Sequence, residues 1–131
     1  IMINKFNIGD KKTFCVKVGE EDSARFPSGE VHPVYSTFAL ARDAEWCCRL
    51  FVLEMKEAHE EGIGTNVSVE HSSPALIGQE VEFEATIVEL KGNSIVCSYT
   101  AKVGNRLLAS GLQGQKIVPK IKLKERFESL R

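Results

Sequence analysis

The stretch TFALARDAEWCCRLFVLEMKEAHEE, residues 37–61, decides the fold, because it contains no Gly or Pro and repeats apolar residues at helical spacing. The central row of this repeat contains Phe38, Ala41, Cys48, Val52 and Met55. Trp46, Leu50 and Leu53 widen this apolar face. A separate polar row contains Arg42, Arg49 and Lys56. The pattern predicts one long helix over residues 37–61, ended by Gly62 and buried over much of its surface.

One acid lies inside the apolar row of this predicted helix. Glu45 follows Ala41 by four residues and precedes Cys48 by three. An ionisable group among apolar neighbours needs a partner, and such groups cluster at functional sites. Glu45 is therefore a candidate catalytic carboxylate. The alternative is a structural carboxylate that bonds a neighbouring backbone or a partner chain.

A histidine occupies a comparable position on the next element. Residues 66–71 alternate, so that Val67, Val69 and His71 share one face of a predicted strand. This face should pack against the helix, which would bring an imidazole towards the same surface as Glu45. A lone histidine on an apolar face is more often a core residue than a catalyst. The nearby carboxylate makes the two interpretations of His71 about equally well supported.

Composition and length limit the possible classes of protein. A chain of 131 residues with 43% hydrophobic content predicts one domain over residues 1–131. A net charge of −1 and a pI near 6.4 give no reason to expect a nucleic-acid partner. The absence of a membrane-length apolar run or a secretory apolar core predicts no membrane association and a cytoplasmic location. The four cysteines have no CxxC spacing, so no metal site is expected, and Cys47 and Cys48 are predicted core residues.

The order of the remaining elements predicts the topology. Residues 19–33 are expected to form a polar connection, and the predicted strands are 13–18, 65–72, 79–90, 94–103 and 106–118, before a terminal helix over 122–131. This order is typical of the α+β hotdog fold, in which a curved antiparallel sheet wraps around a long central helix. Such a sheet has an exposed edge, and the helix is buried on more sides than a monomer explains. We therefore expect a homodimer or a higher even oligomer.

Three segments carry a resemblance to a known family: VYSTF at 34–38, AEWC at 44–47 and GTNVSVEH at 64–71. They are similar to the fluoroacetyl-CoA thioesterase branch of the hotdog acyl-CoA thioesterases. That family has a threonine, a glutamate eight positions later and a histidine twenty-six beyond that, which Thr37, Glu45 and His71 match. The similarity continues through Gly78, Gly92, Gly104 and Gly111.

The resemblance implies hydrolysis of an acyl-CoA thioester, with coenzyme A as part of the substrate and no separate cofactor. It implies Glu45 as nucleophile or general base, and His71 as the group that assists proton transfer or polarises the carbonyl. Thr37 would orient the carboxylate or the attacking water, and Gly64 would lie near the substrate. Gly64 can also be a helix-terminating glycine, and Ser36 or Thr37 can be only a helix N-cap.

Helix geometry restricts how these groups meet. Eight residues of straight helix separate Thr37 and Glu45 by about 12 Å along the axis and about 80° around it. Either Thr37 lies in a non-helical lead-in that folds back, or the site combines the helix start of one subunit with Glu45 of the other. The dimer-interface sites of hotdog enzymes suit the second option. Free N–H groups at the helix start would then bind the thioester oxyanion.

The chain departs from the family at positions that affect the substrate. Phe38 replaces a frequent glycine and should narrow the acyl pocket. Ser28 and Val31 stand where the fluoroacetate-selective enzyme has aromatic residues, so selectivity for a fluorinated acyl group is not expected. Gln115 stands near a basic substrate contact of the family and would be its neutral replacement.

Two other functions remain open at this stage. A hotdog dehydratase or hydratase also pairs a carboxylate with a histidine, and a non-catalytic acyl-CoA or small-ligand binding domain would retain the fold without turnover. The basic C-terminal segment could contact the coenzyme A phosphates, although a solvated face with alternating glutamates is favoured; it contains Lys116, Lys120, Lys122, Lys124 and Arg126.

Overall fold

A computed structural model describes residues 3–131, apart from the side chains of Glu30 and Val31. The elements in chain order are β1 Lys11–Lys17, a 3-10 turn Glu20–Asp22, β2 Ser23–Phe26, β3 Gly29–Tyr35, α1 Thr37–Met55, β4 Glu60–Val67, β5 Glu70–His71, β6 Glu80–Lys91, β7 Ser94–Val103, β8 Arg106–Pro119 and α2 Lys120–Ser129. The main sheet is antiparallel in the order β1-β6-β7-β8-β4, and β5 also pairs with β8. The predicted α+β arrangement of a long helix and an antiparallel sheet is confirmed.

The core lies between α1 and the inner face of the sheet. Every second residue of the central strands is buried: Val81, Phe83, Ala85 and Ile87 in β6, and Ile95, Cys97, Tyr99 and Ala101 in β7. The helix contributes Leu40, Ala44, Cys47, Cys48, Phe51, Val52 and Met55. Burial of each large apolar side chain contributes about 1.5–3 kcal/mol, so this layer holds the helix in place.

Helix α1 begins at the predicted residue and ends earlier than predicted. Ser36 is the N-cap, and its Oγ accepts a 3.1 Å hydrogen bond from the Ala39 N–H. The helix ends at Met55, so its prediction over residues 37–61 was wrong at the C-terminal end. Glu60 instead begins β4 and pairs with Pro119 of β8. Residues 56–59 connect the two elements, and sheet pairing overrides helix propensity at Glu60 and Glu61. Gly62 is a strand residue rather than a helix terminator.

The exposed side of α1 also differs from the prediction. Phe38, Trp46 and Leu53 were expected to be buried, but their exposed fractions are 53%, 41% and 41%. The acid that is buried on α1 is Asp43, at 6% exposure, whereas Glu45 is only partly buried. An apolar surface therefore flanks Glu45 on the side of α1 that the sheet does not cover.

The segment before α1 is more ordered than the predicted polar connection over residues 19–33. It forms the 3-10 turn and the antiparallel hairpin of β2 and β3, which pairs Arg25 with Glu30 and Phe26 with Gly29. Gly29 has a φ of 114°, which favours glycine at the turn. The hairpin is separate from the main sheet and leads directly into α1.

In the part of the chain that the structure describes, neither helix combines the length and the apolar composition that crossing a bilayer requires.

Thiol labelling tests the burial of the cysteines. Cys15 is exposed, whereas Cys47, Cys48 and Cys97 are buried. Burial raises the pKa of Cys47 to about 12, so its reactive thiolate is scarce at neutral pH. We expect a thiol reagent to modify one cysteine rapidly in the native protein and the other three only in denaturant. Cys15→Ser should remove the rapid phase, and rapid native modification of several thiols would contradict this packing.

Candidate active site

The start of α1 and strand β5 bring two of the candidate residues into contact. Thr37 is the first residue of the helix, and its Oγ1 lies 2.9 Å from His71 Nδ1. The direction of this hydrogen bond depends on the tautomer of the imidazole. Ser36, not Thr37, caps the helix, so the Thr37 hydroxyl is available for this contact.

The position of His71 depends on the close approach of the backbone of residues 68–72 to strand β8. His71 pairs with Ala109, and the next N–H, of Ser72, donates a 2.8 Å bond to the Leu108 carbonyl. At Gly111, an added Cβ would collide with the Ser68 carbonyl oxygen. The absence of a side chain at Gly111 therefore permits the chain to pass close to β8 before His71.

The second nitrogen of His71 has an unusual environment. Nε2 is buried and has no hydrogen-bond partner among the described residues. A buried polar atom without a partner costs about 1–3 kcal/mol, so such atoms are uncommon outside functional sites. His71 also lines a cavity of about 250 Å³ together with Ser72, Ser73 and Pro74. Nδ1 of the imidazole is therefore bonded to Thr37, whereas Nε2 is uncommitted, without a hydrogen-bond partner among the described residues.

Glu45 lies two turns further along α1, against the backbone of β4. A Cβ added to Gly64 would lie 2.9 Å from Glu45 Oε2 and 3.0 Å from Oε1. The carboxylate thus occupies the space that a side chain at this strand position would fill. Among the described residues, this carboxylate makes no hydrogen bond or ion pair, whereas Thr37 and His71 are bonded to each other.

Gln115 is buried beside Glu45 and Gly64. Its Nε2 donates to Gln113 Oε1 at 2.8 Å and makes a longer 3.4 Å contact with the Glu45 backbone carbonyl. Gln115 also pairs with Gly64 across β4 and β8. Its amide is thus directed at the helix and at Gln113, and both glutamines are at most 2% exposed.

The predicted site residues therefore form two groups in one chain. Thr37 contacts His71, and Glu45 lies with Gly64 and Gln115. Both Thr37 and Glu45 belong to α1, so the alternative of a non-helical Thr37 that folds back is wrong. The Val31 side chain, part of the comparison with the fluoroacetate-selective enzyme, lies outside the described residues.

A buried polar cluster beside Thr37 was not predicted from the sequence. The Asp43 carboxylate accepts hydrogen bonds from the Tyr35 hydroxyl and, at 3.0 Å, from the Arg42 guanidinium, which also bonds Asp22 at 2.9 Å. Burial and the bond to Asp43 raise the pKa of Tyr35. The Ser36 N–H donates to the Asp22 carbonyl at 2.8 Å. An acid preceded by arginine and eight residues after a tyrosine was the only available sequence signal.

Two other features lie away from Thr37 and Glu45. A cavity of about 390 Å³ is lined mainly by α2, including Leu123, Phe127 and Lys124. Beyond the C-terminal end of α1, Glu57, His59 and Glu60 bring potential metal-ligand atoms within 4.8 Å of one another. The Glu57 N–H already donates to Glu60 Oε1 at 3.0 Å, which gives that carboxylate a structural role.

Comparison with known proteins agrees with this architecture. Residues 18–121 match the fluoroacetyl-CoA-specific thioesterase family. A hypothetical protein of the thioesterase superfamily from Thermus thermophilus is 32% identical, with a TM-score of 0.92 over 98% of this chain and 95% of that chain. The fluoroacetyl-CoA thioesterase itself is 20% identical, with a TM-score of 0.88 over 96% and 98% of the two chains. A hot-dog-like protein from Thermanaerovibrio acidaminovorans is 24% identical, with a TM-score of 0.85 over 95% and 92%. No curated protein sequence matches.

These similarities confirm the predicted hotdog fold, in which the curved sheet packs on α1. The chain belongs to the fluoroacetyl-CoA-specific thioesterase family.

Removal of the charge on Asp43 tests the buried cluster. We expect Asp43→Asn to lower the free energy of unfolding by about 1–3 kcal/mol, because the charge-assisted bonds from Tyr35 and Arg42 are weakened in a buried position. The Arg42 side chain is 58% exposed, so solvent screening reduces its share of this loss. Urea unfolding measures the change against Glu125→Gln, an exposed substitution on α2. Equal stability of both variants would show that the cluster contributes little.

Proposed function

We propose that the protein is an acyl-CoA thioesterase that hydrolyses a short or medium acyl-CoA thioester. The observation that carries this proposal is the 2.9 Å contact of Thr37 with His71, whose second nitrogen is buried and uncommitted. Membership of a thioesterase family supports it. Mutant forms of the fluoroacetyl-CoA thioesterase have been solved with fluoroacetate and CoA and with acetyl-CoA.

His71 would act through its uncommitted Nε2. If Nδ1 donates to the Thr37 hydroxyl, Nε2 carries a lone pair that can accept a proton from water. In the other tautomer, Nε2 carries the proton and can polarise the thioester carbonyl. Thr37 orients the ring in either case. The N–H groups of Thr37 and Phe38, in the first turn of α1, are suited to bind the oxyanion, because Ala39 already donates to the cap.

Glu45 would supply the carboxylate of the reaction, as nucleophile or as the general base for a water molecule. Its carboxylate lies against Gly64 without a hydrogen bond from the described chain, so its lone pairs are available. Gly64 would allow the carboxylate to lie against β4 beside the bound thioester, because the carboxylate occupies the space that a side chain at Gly64 would fill. Gln115, held against the Glu45 backbone, would support this arrangement from the core side.

We infer that the working unit is a homodimer or a higher even oligomer. Strand β4 is the last strand of the main sheet, and Glu45 lies within about 100° of the exposed Phe38, Trp46 and Leu53 around the helix. A second copy placed on this surface would cover the apolar side chains and extend the sheet at β4. It would also bring Glu45 of one copy towards Thr37 and His71 of the other, because Thr37 and Glu45 of one copy lie about 12 Å apart along α1.

Substitution of the carboxylate tests the hydrolase. We expect Glu45→Gln to reduce turnover at least about a hundredfold, the usual contribution of a positioned acid or base. Thiol release from a panel of acyl-CoA substrates measures it. Glu54→Gln, an exposed substitution on the same helix, should retain wild-type turnover. If the wild-type protein binds acyl-CoA and releases no thiol, the dehydratase or the non-catalytic binding domain replaces this proposal.

A methyl group at Gly64 tests the position of the carboxylate without changing its chemistry. In Gly64→Ala the new Cβ would lie within about 3 Å of the flexible end of Glu45, which must then move. We expect turnover to fall at least about tenfold while the unfolding midpoint shifts little, because a 1 Å displacement can cost a hundredfold in rate. An unchanged rate in a folded variant would place the reaction away from this carboxylate.

A further inference from the structure

Arg106, the first residue of β8, is bonded to the segment that lines the cavity at His71. Its Nη1 donates hydrogen bonds to the Ser73 hydroxyl and to the Pro74 carbonyl. Ser73 and Pro74 are two of the residues that line the cavity of about 250 Å³. Two contacts with the cavity lining therefore place the guanidinium at this cavity.

The backbone on both sides of this contact is held by the main sheet. The Leu108 carbonyl accepts hydrogen bonds from the Ser72 N–H at 2.8 Å and from the Ser73 N–H at 3.2 Å. Gly104 has a φ of 58°, which permits the two-residue turn that leads from β7 into Arg106. Arg106 and the segment that it binds thus belong to one hydrogen-bonded unit.

The positive charge of Arg106 has no carboxylate partner in the described part of the chain. Both of its acceptors are neutral oxygens, whereas Arg42 and Arg49 each pair with a carboxylate. A guanidinium has five N–H donors, and the contacts with Ser73 and Pro74 use only Nη1. Nε and Nη2 form a fork that suits the two oxygens of a carboxylate or a phosphate. Because the Arg106 side chain is exposed, a substrate can approach this fork.

We propose that Arg106 binds an anionic group of the acyl-CoA substrate, namely the carboxylate at the free end of a short dicarboxylic acyl chain such as succinyl. This inference rests on the proposed thioesterase function and names its substrate class. Two residues of chain, from His71 to Ser73, span at most about 7 Å. A guanidinium bonded to Ser73 is thus within reach of a short acyl group whose thioester lies at the imidazole. The phosphates of coenzyme A lie at the far end of the pantetheine arm.

The lining of the cavity agrees with a polar acyl chain. Three of its residues, His71, Ser72 and Ser73, carry polar side chains. The Ser73 hydroxyl accepts from Arg106 and retains its own hydrogen as a donor. A terminal carboxylate would accept from both groups, whereas a hydrocarbon chain would cover the hydroxyl without bonding it. The volume is below the range of about 300–1,000 Å³ of pockets for drug-sized ligands, which suits an acyl group of a few carbons.

The test compares thiol release from succinyl-CoA and from butyryl-CoA, which has as many acyl carbons and no terminal carboxylate. With the uncatalysed rate subtracted, the wild-type protein should have the higher kcat/KM with succinyl-CoA. Arg106→Gln should lower the ratio of succinyl-CoA to butyryl-CoA at least about tenfold, because a charge-assisted hydrogen bond to the substrate is lost. Arg106→Lys should retain part of the preference, since it keeps the charge without the fork.

Lys102→Gln is the matched control, because it removes the same charge from the hairpin of β7 and β8. Lys102 lines a separate cavity with Cys15 and Glu82, so the substitution should leave the ratio unchanged. Comparison of two substrates within each variant also cancels a general effect of Arg106→Gln on the segment that carries His71.

Thioesters of pantetheine, which lack the nucleotide phosphates, distinguish the two possible sources of the anion. If Arg106→Gln weakens both coenzyme A esters equally and leaves the pantetheine esters unaffected, the anion site is supported with a phosphate of coenzyme A as its ligand. If Arg106→Gln weakens all four thioesters equally, Arg106 only holds Ser73 and Pro74 in place, and the anion site is overturned.

A binding measurement separates the failure of this inference from the failure of the proposed function. Non-hydrolysable S-alkyl-CoA thioethers, with and without a terminal carboxylate, can be titrated into each variant by calorimetry. If no substrate releases thiol but the wild-type protein favours the carboxylated thioether and Arg106→Gln removes this preference, the hydrolase proposal fails and the anion site is retained. If the wild-type protein and folded Arg106→Gln show the same ratios in both assays, the anion site is overturned.

Discussion

Burial of one side of α1 in the concave face of the sheet is the constraint on which the rest of the structure depends. Central strands β6 and β7 supply alternating inward residues, and the helix supplies the side chains that fill the space between them. Each large side chain buried there contributes about 1.5–3 kcal/mol, far more than the exposed ion pairs of the surface. The core therefore sets the axial and rotational position of α1. The positions of the polar side chains on this helix follow from that placement.

The candidate site residues on α1 lie at the edge of the part of the helix that the sheet buries. Counted at about 100° per residue, Glu45 lies about 20° from the buried Val52 and about 20° from the exposed Phe38. Its carboxylate is thus at the border of the core, close enough to β4 to need a glycine opposite it. Thr37 lies at the N-terminal end of α1, in the first turn, where backbone N–H groups lack intrahelical partners. Both are positions at which the core holds a residue without enclosing it.

The sequence allowed prediction of the elements whose limits are local. The helix start at Thr37 and strand β7 over residues 94–103 were predicted at the observed residues, because Ser36 and the Gly92 and Gly104 turns mark them. The helix end depends on the pairing of Glu60 with Pro119, a contact between residues far apart in the chain. The β2–β3 hairpin depends on its anchors to α1, which composition does not reveal. Glu45 and His71 were proposed from their positions on apolar faces, and Thr37 joined them through the match to the family's spacing. The division of these candidates into two groups needed the structure.

The buried side of α1 was harder to predict than the helix itself. The centre of the observed buried side lies about 90° around the helix axis from the apolar row that the sequence predicted. Apolar residues occupy most of the circumference of α1, so periodicity alone cannot show which of them the sheet covers. That rotation is why Asp43, not Glu45, is the enclosed acid. Asp43 can be enclosed because Tyr35 and Arg42 both donate to it, whereas Glu45, which has no donor among the described residues, must remain at the edge. The same helix thus carries one acid that holds the hairpin and one that remains available for chemistry.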